Sequence, residues 1–235
     1  MTTFRDDDFS GAVFRECDLS RATLVGVVMQ DASIDGLVTN LVVNGVEVMG
    51  FVERELDRRD PTRLLVRSPD PDDLRAAWAE LASRWAATVE RLRRTPGLEQ
   101  RSVNDEWTPV QTLRHLVFVH DSWFRRCCLG SSEPFSELGL SAAFAPSPSP
   151  AEQPWRLDDV LAVRAEQTDE LAAWLATVSA DDLTAEAPVP LDEGWPAHSR
   201  GRSVRECLAV VLDETLLHHG FCVRDLDLLE APSDG

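Results

Sequence analysis

Glu214 and His218 stand four residues apart in SVRECLAVVLDETLLHHGFCVRDLDLLE, an apolar-rich stretch from Ser203 to about Leu229. On a helix such a pair shares one face, one turn apart. Leu208, Val210, Val211, Leu212, Leu216, Leu217, Phe221 and Val223 surround it, and an unpaired charge among apolar groups is costly. A divalent cation is one partner that both groups accept, and the pair offers it two ligands. A site needs a third. His115 and His120, far earlier in the chain, are candidates, and Cys222 forms a rival pair with His218 or packs as a small apolar residue.

Periodicity supplies the elements that must bring these groups together. From Asp72 the pattern is helical: Leu74, Trp78, Leu81, Trp85, Val89 and Leu92 trace one stripe, ending before Pro96-Gly97. A second helix starts at Thr108-Pro109-Val110-Gln111, with a Thr N-cap, Pro at the first position and Gln completing a capping box. It runs through both candidate histidines to Gly130. After an irregular passage over 131–156, a third helix spans about Leu157–Val178, and Ser203-Val-Arg-Glu206 caps the fourth. The pattern predicts a mainly α unit, an up-down four-helix bundle over 71–235, in which metal sites form from side chains on facing helices. The third ligand should therefore lie on another helix. His219, about 100° around from His218, is expected to face outward. Trp195, between Gly and Pro in the loop 179–201, is placed to roof a pocket, and His120 to line it or serve the core. His198 lies in the same loop and could approach the mouth. Cys127-Cys128 read as helix-end packing, and Arg224-Asp225 as a salt bridge or capping network.

Residues 1–36 have another rhythm. Phe4, Phe9, Phe14, Leu19, Leu24, Met29 and Ile34 form a large-apolar series of period five, with Ala12, Cys17, Ala22, Val27 and Ala32 two places before the later members. The pairing resembles the pentapeptide-repeat family, which implies a short right-handed β-helix over 1–51. Such a solenoid buries its inner residues only by stacking coils. Leu37–Phe51, β-branched with an internal Asn-Gly, predicts strand–turn–strand. The charged stretch from 52 to the Ser-Pro-Asp-Pro cluster ending at 71 is read as a linker over 52–70.

Composition narrows the function classes. A formal charge of −18 argues against a nucleic-acid partner, which demands cations. No stretch approaches the roughly 18 uninterrupted apolar residues of a membrane helix, and no secretory signal opens the chain. Five scattered cysteines do not read as a disulfide framework, so a reducing cytoplasm is expected.

Trp107-Thr-Pro-Val-Gln-Thr-Leu-Arg-His115-Leu, with Glu214-Thr-Leu-Leu-His218 and Arg224-Asp225-Leu226, is similar to the DinB-like superfamily over roughly 72–230. That superfamily of four-helix bundles includes mycothiol-dependent maleylpyruvate isomerase and thiol-linked S-transferases. The resemblance implies a metal triad of His115, Glu214 and His218, with zinc, nickel or iron as the ion. It also implies a thiol such as mycothiol as cosubstrate and a small electrophilic substrate; apart from the resemblance, the Arg224 guanidinium is a candidate to hold the carboxylate of a thiol cofactor. The expected activity is metal-dependent thiol transfer or isomerisation, with a homodimer as the assembly considered. A non-catalytic, metal-stabilised binding module is the alternative.

Overall fold

The computed structural model describes residues 3–14, 17–141, 155–192, 194–196 and 199–231. His198 and the Pro/Ser cluster at 146–150 lie outside the described residues. The chain divides into two units, Met1–Met49 and Gly50–Gly235.

In the first unit the apolar series runs ring beside ring. Phe4 and Phe9 meet edge-on with centroids 5.4 Å apart, and Phe9 and Phe14 lie 6.2 Å apart. The turns are closed locally: the Ala12 and Ala22 amides donate to the Phe9 and Leu19 carbonyls, and Asp8 and Asp18 accept from the amides two residues on. The series nevertheless stays open to solvent, 67% for Phe4 and 61% for Ile34. Length explains this, because a run this short accumulates too few coils to cover its inner residues. The expected strand–turn–strand is a hairpin of β1 (Val42–Val43) and β2 (Val46–Glu47), with Val43 opposite Val46. Asn44 and Gly45 join the strands at φ +49° and +82°, the left-handed pair that a type I′ turn requires.

The second unit is mainly helical. Residues 52–70, read from sequence as a linker, instead carry α1 (Met49–Arg59) and α2 (Thr62–Arg67). The charge density that suggested a solvated linker is an ion-pair lattice at helical spacing. Glu53 and Asp57 on α1 accept from Arg63 and Arg67 on α2, and Asp60 from Arg84. Val66, between those arginines, is 1% exposed and belongs to the core.

α3 (Pro71–Arg94) starts on Asp70, whose carboxylate accepts from the Asp72 amide. Its buried stripe is Leu74, Trp78, Leu81, Trp85 and Leu92, and two indoles pin seams: Trp78 donates to the Thr168 carbonyl and Trp85 to that of Thr215. α4 (Pro109–Val119) opens on the Thr108 capping box. From His120 to Cys128 the same helix widens into a π-helix, where an uninterrupted α-helix was expected. The Ser122 hydroxyl takes the Phe118 carbonyl at 2.7 Å, an acceptor that an α-turn would give to the Ser122 amide. α5 (Leu157–Leu175), the short α6 (Ala180–Thr184) and α7 (Val204–Glu230) complete the unit. α4 packs on α5 and α7, α3 on α5 and α7, and the π-helix on α7. Among the described residues no helix is long and apolar enough to cross a membrane.

Candidate metal centre

His115 and Glu214–His218 come from facing helices, α4 and α7. Thr108 and Ser203 fix where each helix starts, and Leu113, Leu116, Val211 and Leu212 bury their apolar faces, so the polar groups between them are carried to one point. The Glu214 carboxylate oxygen Oε2 lies 3.4 Å from His115 Nε2 and 3.0 Å from His218 Nε2. One ligand atom from each of the three residues falls within 4.8 Å of the others. His115 is buried, whereas Glu214 keeps 35% of its side chain exposed, so the cluster is closed by protein on one side and open on the other.

Donor chemistry tests whether a cation fits here. His115 Nδ1 lies 3.0 Å from the Leu140 carbonyl, which has no proton to give, so that nitrogen carries the hydrogen. In the neutral ring, Nε2 then presents a lone pair to a carboxylate. Two acceptors facing each other repel unless a proton or a metal ion lies between them. Glu214 is ionised: burial pushes its carboxyl up, but the hydrogen bonds that His115 and His218 give it when their rings are protonated outweigh that and hold it at about 2. Two imidazoles and a carboxylate on one open point are a donor set for a borderline divalent ion, with room for a further ligand.

Aromatic rings wall the cluster. The Trp107 indole stacks on His218 (5.9 Å, 20°) and leans on His115 (4.7 Å), while Phe221 meets His218 edge-on at 5.7 Å. Trp107 is the first residue of the motif around His115, yet the motif alone does not say that its ring covers both imidazoles. Phe221 is three residues past His218, so helical spacing was the available signal for it.

The other sequence candidates lie elsewhere. His120 is fully buried against α5, with Nε2 3.3 Å from Glu170 Oε2, and takes the core role. Trp195 is half-buried in a loop that Asp192 pins to Arg126. Arg126 is eleven residues past His115, about 16 Å along the helix at 1.5 Å per residue. Cys222 packs with Trp85, Leu92 and Leu226, and burial pushes its thiol up to about 12, the opposite of what a ligand needs. Arg224 bonds Glu106 at 2.5 Å and Asp225 at 2.7 Å, the salt-bridge reading, and its guanidinium is engaged by carboxylates of the chain itself. His219 does not face outward. It meets the Thr88 hydroxyl at 3.0 Å and the Trp85 ring edge on α3, and burial keeps its imidazole below the ordinary range.

Comparison with known proteins finds the DinB superfamily over residues 95–222 and pentapeptide repeats, in eight copies, over residues 8–36. No curated protein and no solved structure matches the chain. The superfamily match begins just after α3 and ends at Cys222, taking in His115, Glu214 and His218 and more than half of the sequence. The chain therefore belongs to the DinB superfamily and carries pentapeptide repeats at its N-terminus.

Proposed function

We propose that the helical unit holds one divalent ion on His115, Glu214 and His218 and works as a thiol-dependent S-transferase or isomerase. Its reactants are a low-molecular-weight thiol such as mycothiol and a small electrophilic substrate. The observation that carries this is the convergence of three basic ligand atoms from two helices on a half-open point. A bound zinc, nickel or iron ion supplies Lewis acidity, which makes a thiol acidic enough to be a nucleophile at neutral pH. The chain's own groups do the rest. Glu214 contributes the negative charge that such an ion requires, and the Leu140 carbonyl holds the His115 ring with Nε2 inward. Trp107 keeps water from one side of the two imidazoles, while the exposed edge of Glu214 marks where reactants enter.

In this reading α3, α4 with its π-helical continuation, α5 and α7 form an up-down four-helix bundle, supported by their mutual packing. Residues 1–51 form a short right-handed β-helix stub, supported by the repeat match and the side-by-side phenylalanines. The protein acts in the cytoplasm, as a homodimer, without a nucleic-acid or membrane partner.

Metal analysis of the protein as isolated tests the centre directly. About one ion per chain is expected, with uptake lost in His115→Ala and His218→Ala. Metal-loaded protein is then incubated with mycothiol, bacillithiol or glutathione plus monochlorobimane. Thiol consumption that disappears in Glu214→Ala supports the enzyme. Uptake unaltered by all three substitutions sinks the centre, and metal binding without thiol consumption leaves a metal-stabilised module.

A further inference from the structure

One guanidinium lies over one aromatic wall of the cluster, Phe221, and pairs with the residue next to the other, Trp107. Glu106 and Trp107 immediately precede Thr108, the cap of the helix that carries His115. Arg224 lies six residues past His218, on the helix that carries the other two members. Its Nη2 donates to Glu106 Oε2 at 2.5 Å and to Asp225 Oδ1 at 2.7 Å, and its Nε to the same Asp225 oxygen at 2.8 Å. The guanidinium carbon also lies 5.4 Å from the centre of the Phe221 ring. Arg224 thus touches Phe221 directly and holds Trp107 through the neighbouring Glu106, and these two rings flank His218.

We propose that Arg224 is a positioning residue for the metal centre: by clamping Glu106 it holds the Trp107 indole over the imidazoles of His115 and His218. The clamp joins the two helices that supply the ligands. The segment it grips is a turn: Asn104 and Asp105, just before Glu106, both have left-handed backbone (φ +52° and +60°), which Asn and Asp adopt more readily than other non-glycine residues. A planar fork suits the task, since it can serve two carboxylates and lie over a ring at once. A lysine ammonium offers a point charge instead. An ion pair this exposed adds little stability. Its value is geometric: with the indole in place the imidazoles cannot swing away from Glu214, and one side of the cluster stays dry. The purpose assigned here rests on the metal reading above, but the clamp itself is visible without a metal.

The test therefore has a metal-free arm. In full-length protein with labelled histidine, NMR reads the imidazole protons of His218 and His115, which a stacked indole shifts upfield. Trp107→Leu should remove that shift. Glu106→Gln and Arg224→Met should remove most of it, Arg224→Lys should not restore it, and the double variant Glu106→Gln/Arg224→Met should add nothing to either single one. Imidazole signals at wild-type positions in folded Glu106→Gln or Arg224→Met overturn the proposal, as does a Trp107→Leu spectrum without the loss. If Arg224→Met fails to fold, Glu106→Gln carries the same test. In the second arm cobalt(II) is titrated into each protein, and the dissociation constant should rise about tenfold in Glu106→Gln and Arg224→Met, the scale for groups that orient ligands. Unchanged cobalt affinity in both overturns the positioning role. Wild-type protein that binds no cobalt overturns the metal reading and not the clamp, which the metal-free spectra decide.

Discussion

His120 offers a measurement of how strongly the interior of the helical unit resists charge. Its ring is fully buried between the π-helix and α5, Nε2 donates to Glu170, and Nδ1 has no hydrogen-bond partner. Burial pushes its pKa down to about 4. Glu170 pulls the other way, and the charges of Arg164 and Arg125 add to the depression. In the unfolded chain the same imidazole titrates near 6.5. As pH falls through 6.5, the unfolded state takes a proton that the folded state refuses until about pH 4, so stability is full above 6.5 and drains away down to about 4. A gap of about 2.5 pH units at about 1.4 kcal/mol each sets the loss near 3 kcal/mol. His120→Gln keeps an N–H for Glu170 and cannot titrate. Urea unfolding followed by helical circular dichroism, in chelator from pH 7.5 to 4, should show the wild type losing about 3 kcal/mol more than the variant across that range. The variant's own stability at pH 7.5 is immaterial, because only the difference in pH dependence is read. Parallel curves, within about 0.5 kcal/mol, would mean that His120 takes its proton in the folded state, and the account of this buried network would fail.

Three substitutions test the backbone reasoning with the same unfolding assay. Thr108→Ala removes the hydroxyl that accepts from the Gln111 amide at 3.2 Å and should cost about 1 kcal/mol, and no loss would mean the capping box does not set the start of α4. Gly130→Ala places a Cβ at φ +72° and 2.8 Å from the Pro188 carbonyl oxygen, so about 2 kcal/mol or more should be lost. Gly220→Ala, mid-helix with open space around the added carbon, should gain about 0.5–1 kcal/mol, and the reverse order of the two glycines would refute the argument.

What the sequence made legible is what is decided within a turn or two of backbone. The Thr108 and Ser203 boxes place the starts of α4 and α7, Asn44-Gly45 places the hairpin, and spacing alone puts Glu214 and His218 on one face. What it hid depends on a partner far along the chain. The outward face assumed for His219 holds Thr88, 131 residues away, and Arg224 finds Glu106 at a separation of 118. Residues 52–70 looked like a solvated connection because nothing local shows that Arg63 and Arg67 will find Glu53 and Asp57, or that Val66 will be covered. The π-helix was hidden for a different reason. Its sequence, HDSWFRRCC, is compatible with an α-helix, and the wider turn accompanies burial of His120, Asp121 and Arg126 together.

The same long helix carries two histidines, each about 3.3–3.4 Å from a glutamate of a facing helix, so that distance does not by itself mark a metal site. The difference lies in where the positive charge comes from. At Glu170 it is built in: Arg125 donates to the carboxylate at 2.7 Å, and Asp121 is served in turn by Arg125 and by the Gln167 amide. A cation added there would meet a guanidinium already in place, and His120 need only stay neutral and donate one hydrogen bond. At Glu214 no arginine stands against the carboxylate among the described residues, and its partners are two imidazoles, one of them held with its lone pair inward by a backbone carbonyl. Such a point has an excess of acceptors, which a proton relieves in part and a divalent ion relieves fully. A fixed cation from the chain makes one pair a piece of core, and its lack at the other pair, with His218, is what supports the proposal that this cluster takes its cation from solution.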